Sequence, residues 1–233
     1  MMDVGRLREN VERVRATIAD ATRRSGRQPA DVTLVAVTKY VGAEVARQLV
    51  EIGCHDLGES RPQELWQKAA EVPEPAVRWH LIGHLQRNKT ARTLEHAHLI
   101  HSADSWRLIE TIDEAAGKRG QRAAVLIEVN TSGDATKGGF MPTDVEPLVE
   151  PLSRFGWIEV RGLMTMAARE GDATVARRNF ADLRELAERL RAVSPATLAW
   201  QELSMGMSGD YEIAIAEGAT IVRIGSALFE GIE

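Results

Sequence analysis

From residue 32 onward the chain alternates short apolar runs with longer charged stretches, and the alternation repeats about eight times. The apolar runs lie near 32–38, 55–59, 77–82, 98–102, 123–130, 157–163, 199–203 and 220–224. The first, VTLVAVT, is short and β-branched, as in parallel strands buried on both faces. Between the runs the period changes to that of a helix. Over 172–192 the positions Val175, Phe180, Leu183, Leu186 and Leu190, with Val193 just beyond, mark an apolar stripe, and Asp172 stands where an N-cap is expected. Ahead of the first run, Leu7, Val11, Val14 and Ile18 recur at helical spacing among Arg and Glu, which predicts an amphipathic helix over 5–25. Repeated β-then-α units without hairpins predict a parallel sheet, and about eight units in this length favour closure into a (β/α)8 TIM barrel with an extra N-terminal helix. No Pro/Gly/Ser-rich linker divides the chain, so one domain over residues 1–233 is expected.

Composition narrows the picture. The 233 residues are 44% hydrophobic and 27% charged, with a formal net charge of −5 from interleaved acidic and basic residues. No extended positive field is present for a phosphate backbone, so nucleic acid is not an expected partner. The N-terminal segment is charged every few residues, and no stretch is apolar over the length of a membrane span, so neither export nor a membrane is expected. One cysteine, Cys54, rules out an intramolecular disulfide. A cytoplasmic location follows as the expectation.

A barrel carries its chemistry on the loops after the carboxyl ends of its strands. Lys39 ends the first apolar run, at the rim of a barrel interior where desolvation disfavours an ammonium and leaves the neutral amine that imine formation requires. A solvated strand-end lysine is the plainer alternative, and alone Lys39 decides little. Arg223, inside TIVRIGSALF, is costly at the end of a barrel strand unless it faces a partner or ligand. Gly225 and Ser226 follow it, offering a backbone that can approach an anion and a hydroxyl donor. SMGMS, residues 204–208, adds two hydroxyls, with Ser208 placed as the cap of a helix beginning at Asp210. Each serine alone reads as an ordinary cap or turn, whereas together with Arg-x-Gly-Ser they read as a phosphate site. An imine-forming lysine, a phosphate cup and an arginine able to face a ring nitrogen are the fittings of a pyridoxal phosphate site.

The segments VAVTKY (35–40), WHLIGHLQRNK (79–89), VNTSGDATKGGF (129–140), RGLMTM (161–166), LSMGMSGDYEIAI (203–215) and VRIGSALF (222–229) resemble, in order and over nearly the whole chain, the YggS/PROSC family of pyridoxal phosphate homeostasis proteins. That family is similar in fold to the N-terminal domain of alanine racemase. The resemblance implies a pyridoxal 5′-phosphate Schiff base on Lys39, Arg223 facing the pyridine nitrogen, and Ser204, Met205, Ser208, Gly225 and Ser226 around the phosphate. It also implies a role in cofactor homeostasis with apo-enzymes as partners, in a monomer or weak dimer. Where the family commonly reads Gly-Glu-Asn, this chain has Gly58-Glu59-Ser60, so a shorter side chain with one hydroxyl stands in place of an amide.

Other motifs fit less well. His80 and His84 stand four apart, but on a strand and loop rather than a helix, and His96, His98 and His101 lack partners at ligand spacing, so no metal is expected. Lys137 reads as a solvated loop lysine within reach of an anion at the barrel mouth, and Met164, Met166, Met205 and Met207 as gap-filling residues. Between an enzyme and a carrier, the carrier is favoured. The chain ends just past the eighth run, no base is evident opposite Lys39, and a guanidinium gives up no proton readily to a pyridine nitrogen. A racemase-like enzyme of low activity is the alternative; a Schiff-base aldolase would leave Arg223 without a role.

Overall fold

The structure is a computed structural model that describes residues 3–134, 136–168 and 172–232. Its elements follow the alternation of the sequence: α1 (Val4–Arg24), β1 (Thr33–Val37), α2 (Ala43–Glu51), β2 (Asp56–Glu59), α3 (Pro62–Glu71), β3 (Arg78–Leu81), α4 (Thr90–Thr93) and β4 (Ala97–Ala103). Then come α5 (Trp106–Arg119), β5 (Ala123–Glu128), α6 (Pro142–Val145), α7 (Val149–Leu152), β6 (Ile158–Met164), α8 (Ala173–Val193), β7 (Glu202–Ser204), α9 (Tyr211–Ala216) and β8 (Ile221–Ile224). The eight strands are parallel and pair in sequence order, with β8 returning to β1, so the barrel is closed. Each expected strand is present within a few residues of its expected place.

Two apolar layers explain why the strands read as unbroken hydrophobic runs. Val35, Leu99, Leu126, Met164 and Ile221 pack inside the barrel, while Ala36, Leu57, Leu81, Ile100, Leu163 and Val222 pack between strands and helices. Two close approaches require glycine. A Cβ at Gly162 would lie 1.8 Å from the Glu202 carbonyl oxygen on β7, and one at Gly83 would lie 2.3 Å from that of Ser60.

Helix α8 is capped by Asp172, whose side chain accepts from the Thr174 and Val175 amides. Its stripe is narrower than the spacing predicts: Phe180, Leu183, Leu186 and Leu190 are buried, but Val175 and Val193 are 38% and 55% exposed, because the ends of the helix overhang the sheet. Helix α1 buries Leu7, Val11, Val14 and Ile18 and docks onto the chain's last segment, where Asn10 donates to the Leu228 and Glu230 carbonyls. No described helix is long and apolar enough to cross a membrane.

Candidate functional site

Lys39 occupies the turn directly after β1, at the carboxyl end of the barrel. Its side chain is exposed, with Nζ 4.8 Å from the Tyr40 ring centre. The dry surroundings expected for it are not what the ligand-free structure provides, since the turn carries Lys39 past the rim into open space. What is buried is its anchor. Lys68 of α3 donates 2.8 Å to the Thr38 carbonyl and pairs with Glu59 at the end of β2, while the Thr38 hydroxyl donates 2.7 Å to the same Glu59 oxygen. Glu59 is fully buried, and Pro62 opens α3 so that Lys68 falls on its inward face. The backbone ahead of Lys39 is thereby held on two sides.

Arg223 lies on the strand next to that turn, level with the residue four before Lys39, because β1 and β8 pair with Val35 opposite Arg223 and Ala36 opposite Ile224. It is 4% exposed and points inward, donating 2.6 Å to Ser204 Oγ and 3.0 Å to the Thr165 carbonyl. Burial lowers its pKa to about 10, opposed by the charges of Glu128 and Asp210, so the guanidinium stays cationic near neutrality. Above it, Ser208 Oγ accepts at 3.3 Å from both the Gly225 and Ala227 amides. Gly206 holds φ at +92° where a Cβ would press on Ala214 at 2.6 Å, and a Cβ at Gly225 would lie 3.4 Å from Val37.

Lys39, Arg223, Ser208, Gly225 and Ser226 thus share one barrel mouth. Two residues expected around the phosphate lie elsewhere. The Ser204 hydroxyl is fully buried in the barrel interior and committed to Arg223 and His101, and the Met205 side chain is packed outward in the core. Nor does Ser208 cap α9. Asp210 is the cap residue, its carboxylate turning back to accept from the Met207 amide at 2.6 Å, which leaves Ser208 free to meet the loop after β8. Lys137 is half-buried rather than free in solvent: its Nζ donates to the Met166 and Ala167 carbonyls at 3.1 and 2.6 Å, tying the loop after β5 to the segment after β6. Ser60 is half-buried, its backbone pressed against Gly83.

The pattern of the sequence missed Glu128. It ends β5 facing inward, 8% exposed, with Asp104 and His84 beside it; His84 Nδ1 lies 2.7 Å from Asp104. Burial first, and then the Asp104 charge, push the Glu128 carboxyl up to about 7, against the pull of Arg223 and His84. A carboxyl hidden at the end of an apolar strand signals this only once its neighbours are known. Because its folded pKa lies above the ordinary 4.5, its contribution to stability is full below 4.5 and is lost as pH rises through about 7. Over that window the ligand-free protein is expected to lose on the order of 3 kcal/mol relative to Glu128→Gln. Urea unfolding of both proteins across the window checks it; parallel pH profiles would refute it.

The sequence matches the profile of the family described as "Alanine racemase, N-terminal domain" over residues 2–232. It is 38% identical to the pyridoxal phosphate homeostasis protein of Pseudomonas aeruginosa over 221 residues, covering 95% of this chain and 94% of that protein. The corresponding Aquifex aeolicus protein is 39% identical, with 95% and 96% covered. Among solved structures, PipY of Synechococcus elongatus with PLP bound superposes with a TM-score of 0.86 at 36% identity, covering 96% of this chain and 99% of that one.

Proposed function

Since this chain belongs to the pyridoxal phosphate homeostasis protein family, within the alanine racemase N-terminal domain group, we propose that it binds pyridoxal 5′-phosphate as a Schiff base on Lys39 and serves intracellular homeostasis of the cofactor without catalytic turnover. The observation that carries this is the β1–β8 pairing, which brings the Lys39 turn and the Gly225 and Ala227 amides to the same end of adjacent strands. The residues fit the group. Ser208, Ser226 and the amides around Gly225 would hold the phosphate. Arg223, which spends two N–H donors on described protein atoms out of five, keeps others for the ring nitrogen. Bound there, the cofactor supplies an aldehyde for condensation with an amine.

The same reading makes residues 1–233 one cofactor-binding barrel domain, a cytoplasmic monomer or weak dimer whose partners are apo-enzymes that take up the cofactor. The exposure of Lys39 supports exchange over water-excluding catalysis. The test is to load the protein, reduce it with borohydride and map the label, then mix unreduced loaded protein with an apo-enzyme. Label on Lys39 and recovery of the apo-enzyme's activity are expected; label only on Lys89 or Lys137, or cofactor that never leaves, overturns it.

Arg223→Ala and Ser226→Ala are each expected to weaken cofactor affinity about ten- to hundredfold, the ~1.5–3 kcal/mol of a charge-assisted hydrogen bond. Equilibrium titration with circular dichroism as the folding control checks this, and unchanged affinity in both places the phosphate elsewhere.

A second reading, a racemase-like enzyme of low activity, draws on Glu128. A carboxyl at about 7 at the barrel mouth is a group able to exchange a proton near neutrality. Turnover of an amino-acid panel near the ordinary enzyme kcat of ~10 per second, lost in Glu128→Gln, would select this reading over the carrier.

A further inference from the structure

The barrel interior is not apolar throughout. Beneath Arg223 a file of polar side chains crosses it from one end to the other, each on a different strand. Arg223 Nη1 donates to Ser204 Oγ at 2.6 Å; Ser204 Oγ lies 2.8 Å from His101 Nδ1; His101 Nε2 lies 2.9 Å from His80 Nδ1; and His80 Nε2 lies 3.0 Å from Asp56 Oδ1. Ser204 and His101 are fully buried and His80 is 3% exposed. At the far end Asp56 opens β2 and is held by Arg78 through two hydrogen bonds. Asp56, Arg78 and His80 line a cavity of about 360 Å³ at the amino ends of the strands, opposite the mouth where Lys39 sits.

We propose that Asp56, His80, His101 and Ser204 form one polarised hydrogen-bond chain that holds the Arg223 guanidinium and couples it to the base of the barrel, making His80 and His101 positioning residues for the cofactor site. The cofactor part rests on the function proposed above.

Donor and acceptor counting fixes the direction. The Asp56 carboxylate and the guanidinium fix the two ends, and with both rings neutral the Ser204 hydroxyl, which accepts from Arg223, gives its proton to His101 Nδ1. His101 then carries its proton on Nε2 and gives it to His80 Nδ1, and His80 gives its Nε2 proton to the Asp56 carboxylate, which only accepts. Each link then has one donor and one acceptor, and Asp56 Oδ1 takes Arg78 Nε as well as His80 Nε2. A further proton on either ring would make His101 Nδ1 a donor to Ser204 Oγ and so reverse that link. Burial above all, and then the charge of Arg223, hold His101 well below the ordinary imidazole range. Asp56 stays ionised at about 2: burial opposes this, but the His80 and Arg78 bonds outweigh it. The charged and titratable groups around the file are Asp31 ahead of β1, Asp56 on β2, Arg78 on β3, His98 on β4, Glu128 on β5, Glu159 and Arg161 on β6, Glu202 on β7, and Asp210 beside β8.

The first arm uses the full-length, ligand-free protein with ¹⁵N-labelled histidine. Imidazole NMR is expected to find His80 and His101 both as Nε2–H tautomers, with His101 neutral over the range about pH 5–8 where histidine normally titrates. A protonated Nδ1 on His101, or its titration inside that range, overturns the chain. The second arm measures pyridoxal phosphate affinity in a double-mutant cycle. His101→Asn keeps an acceptor for Ser204 but cuts the link to His80. Asp56→Asn is expected to weaken binding about three- to tenfold in the natural chain and to add nothing in the His101→Asn background. Additive effects, or none from Asp56→Asn, overturn the coupling. Failure of the unaltered protein to bind the cofactor would overturn the proposed function, while the tautomers would still decide the chain.

Discussion

Lys68→Met is expected to destabilise the protein by about 3–5 kcal/mol, a large part of the ~5–15 kcal/mol that holds a typical domain folded. Glu59 is fully buried and Lys68 is 5% exposed, so removing the ammonium strands a carboxylate away from water. One Glu59 oxygen, Oε2, already has no partner among the described residues, and the other would keep only the Thr38 hydroxyl. The loss is caused by the unpaired charge rather than by the absent bond. Pairing the change with Glu59→Leu is therefore expected to recover most of the stability, because a buried ion pair replaced by apolar groups of similar volume is close to neutral. Urea denaturation of the single and double variants checks this; a double variant as unstable as Lys68→Met would show that the carboxylate is not the source. The Thr38 carbonyl stays unheld in the double variant, so it is expected to fold yet to label more slowly on Lys39.

Lys39→Ala is expected to abolish covalent capture of pyridoxal phosphate while leaving the fold intact. Lys39 is exposed and makes no recorded hydrogen bond to the described residues, only its approach to Tyr40, so the barrel loses nothing by its removal. Other lysines are poor substitutes. Lys68 is locked to Glu59, and Lys137 spends its ammonium on two carbonyls. The measurement is borohydride reduction followed by intact mass: one cofactor-sized adduct on the natural chain and none on the variant, with unchanged thermal unfolding. An adduct of equal yield on Lys39→Ala would remove Lys39 from the site.

How much of this was legible in the sequence depends on the range of the interaction involved. The eight strands, the leading helix and the cap at Asp172 were all readable, because apolar periodicity and capping act within a few residues. Lys39 and Gly225 were readable as rim residues for the same reason, since a position one or two beyond a buried strand is at its carboxyl end in any barrel of this kind, and Arg223 was readable as a charge inside the last strand. The serines show the limit. Ser204 ends β7 and Ser208 follows four residues later in the loop, yet the first points down at His101 and the second across at the amides of Gly225 and Ala227. Strand direction and the turn at Gly206 decide that difference.

By itself the sequence determined the alternation of elements, hence the closed parallel barrel, and the end of it on which chemistry can sit. Only the tertiary structure decided which polar groups meet. His101 and Ser204 are 103 residues apart, Arg223 and Thr165 are 58 apart, and Lys68 reaches Thr38 across 30. Those contacts come from closing eight strands at one register, which points alternate side chains at a common axis. The same closure removes water from Glu128 and Arg223, so a carboxyl at about 7 and a guanidinium at about 10 are properties of the barrel and not of either residue's neighbours in the chain.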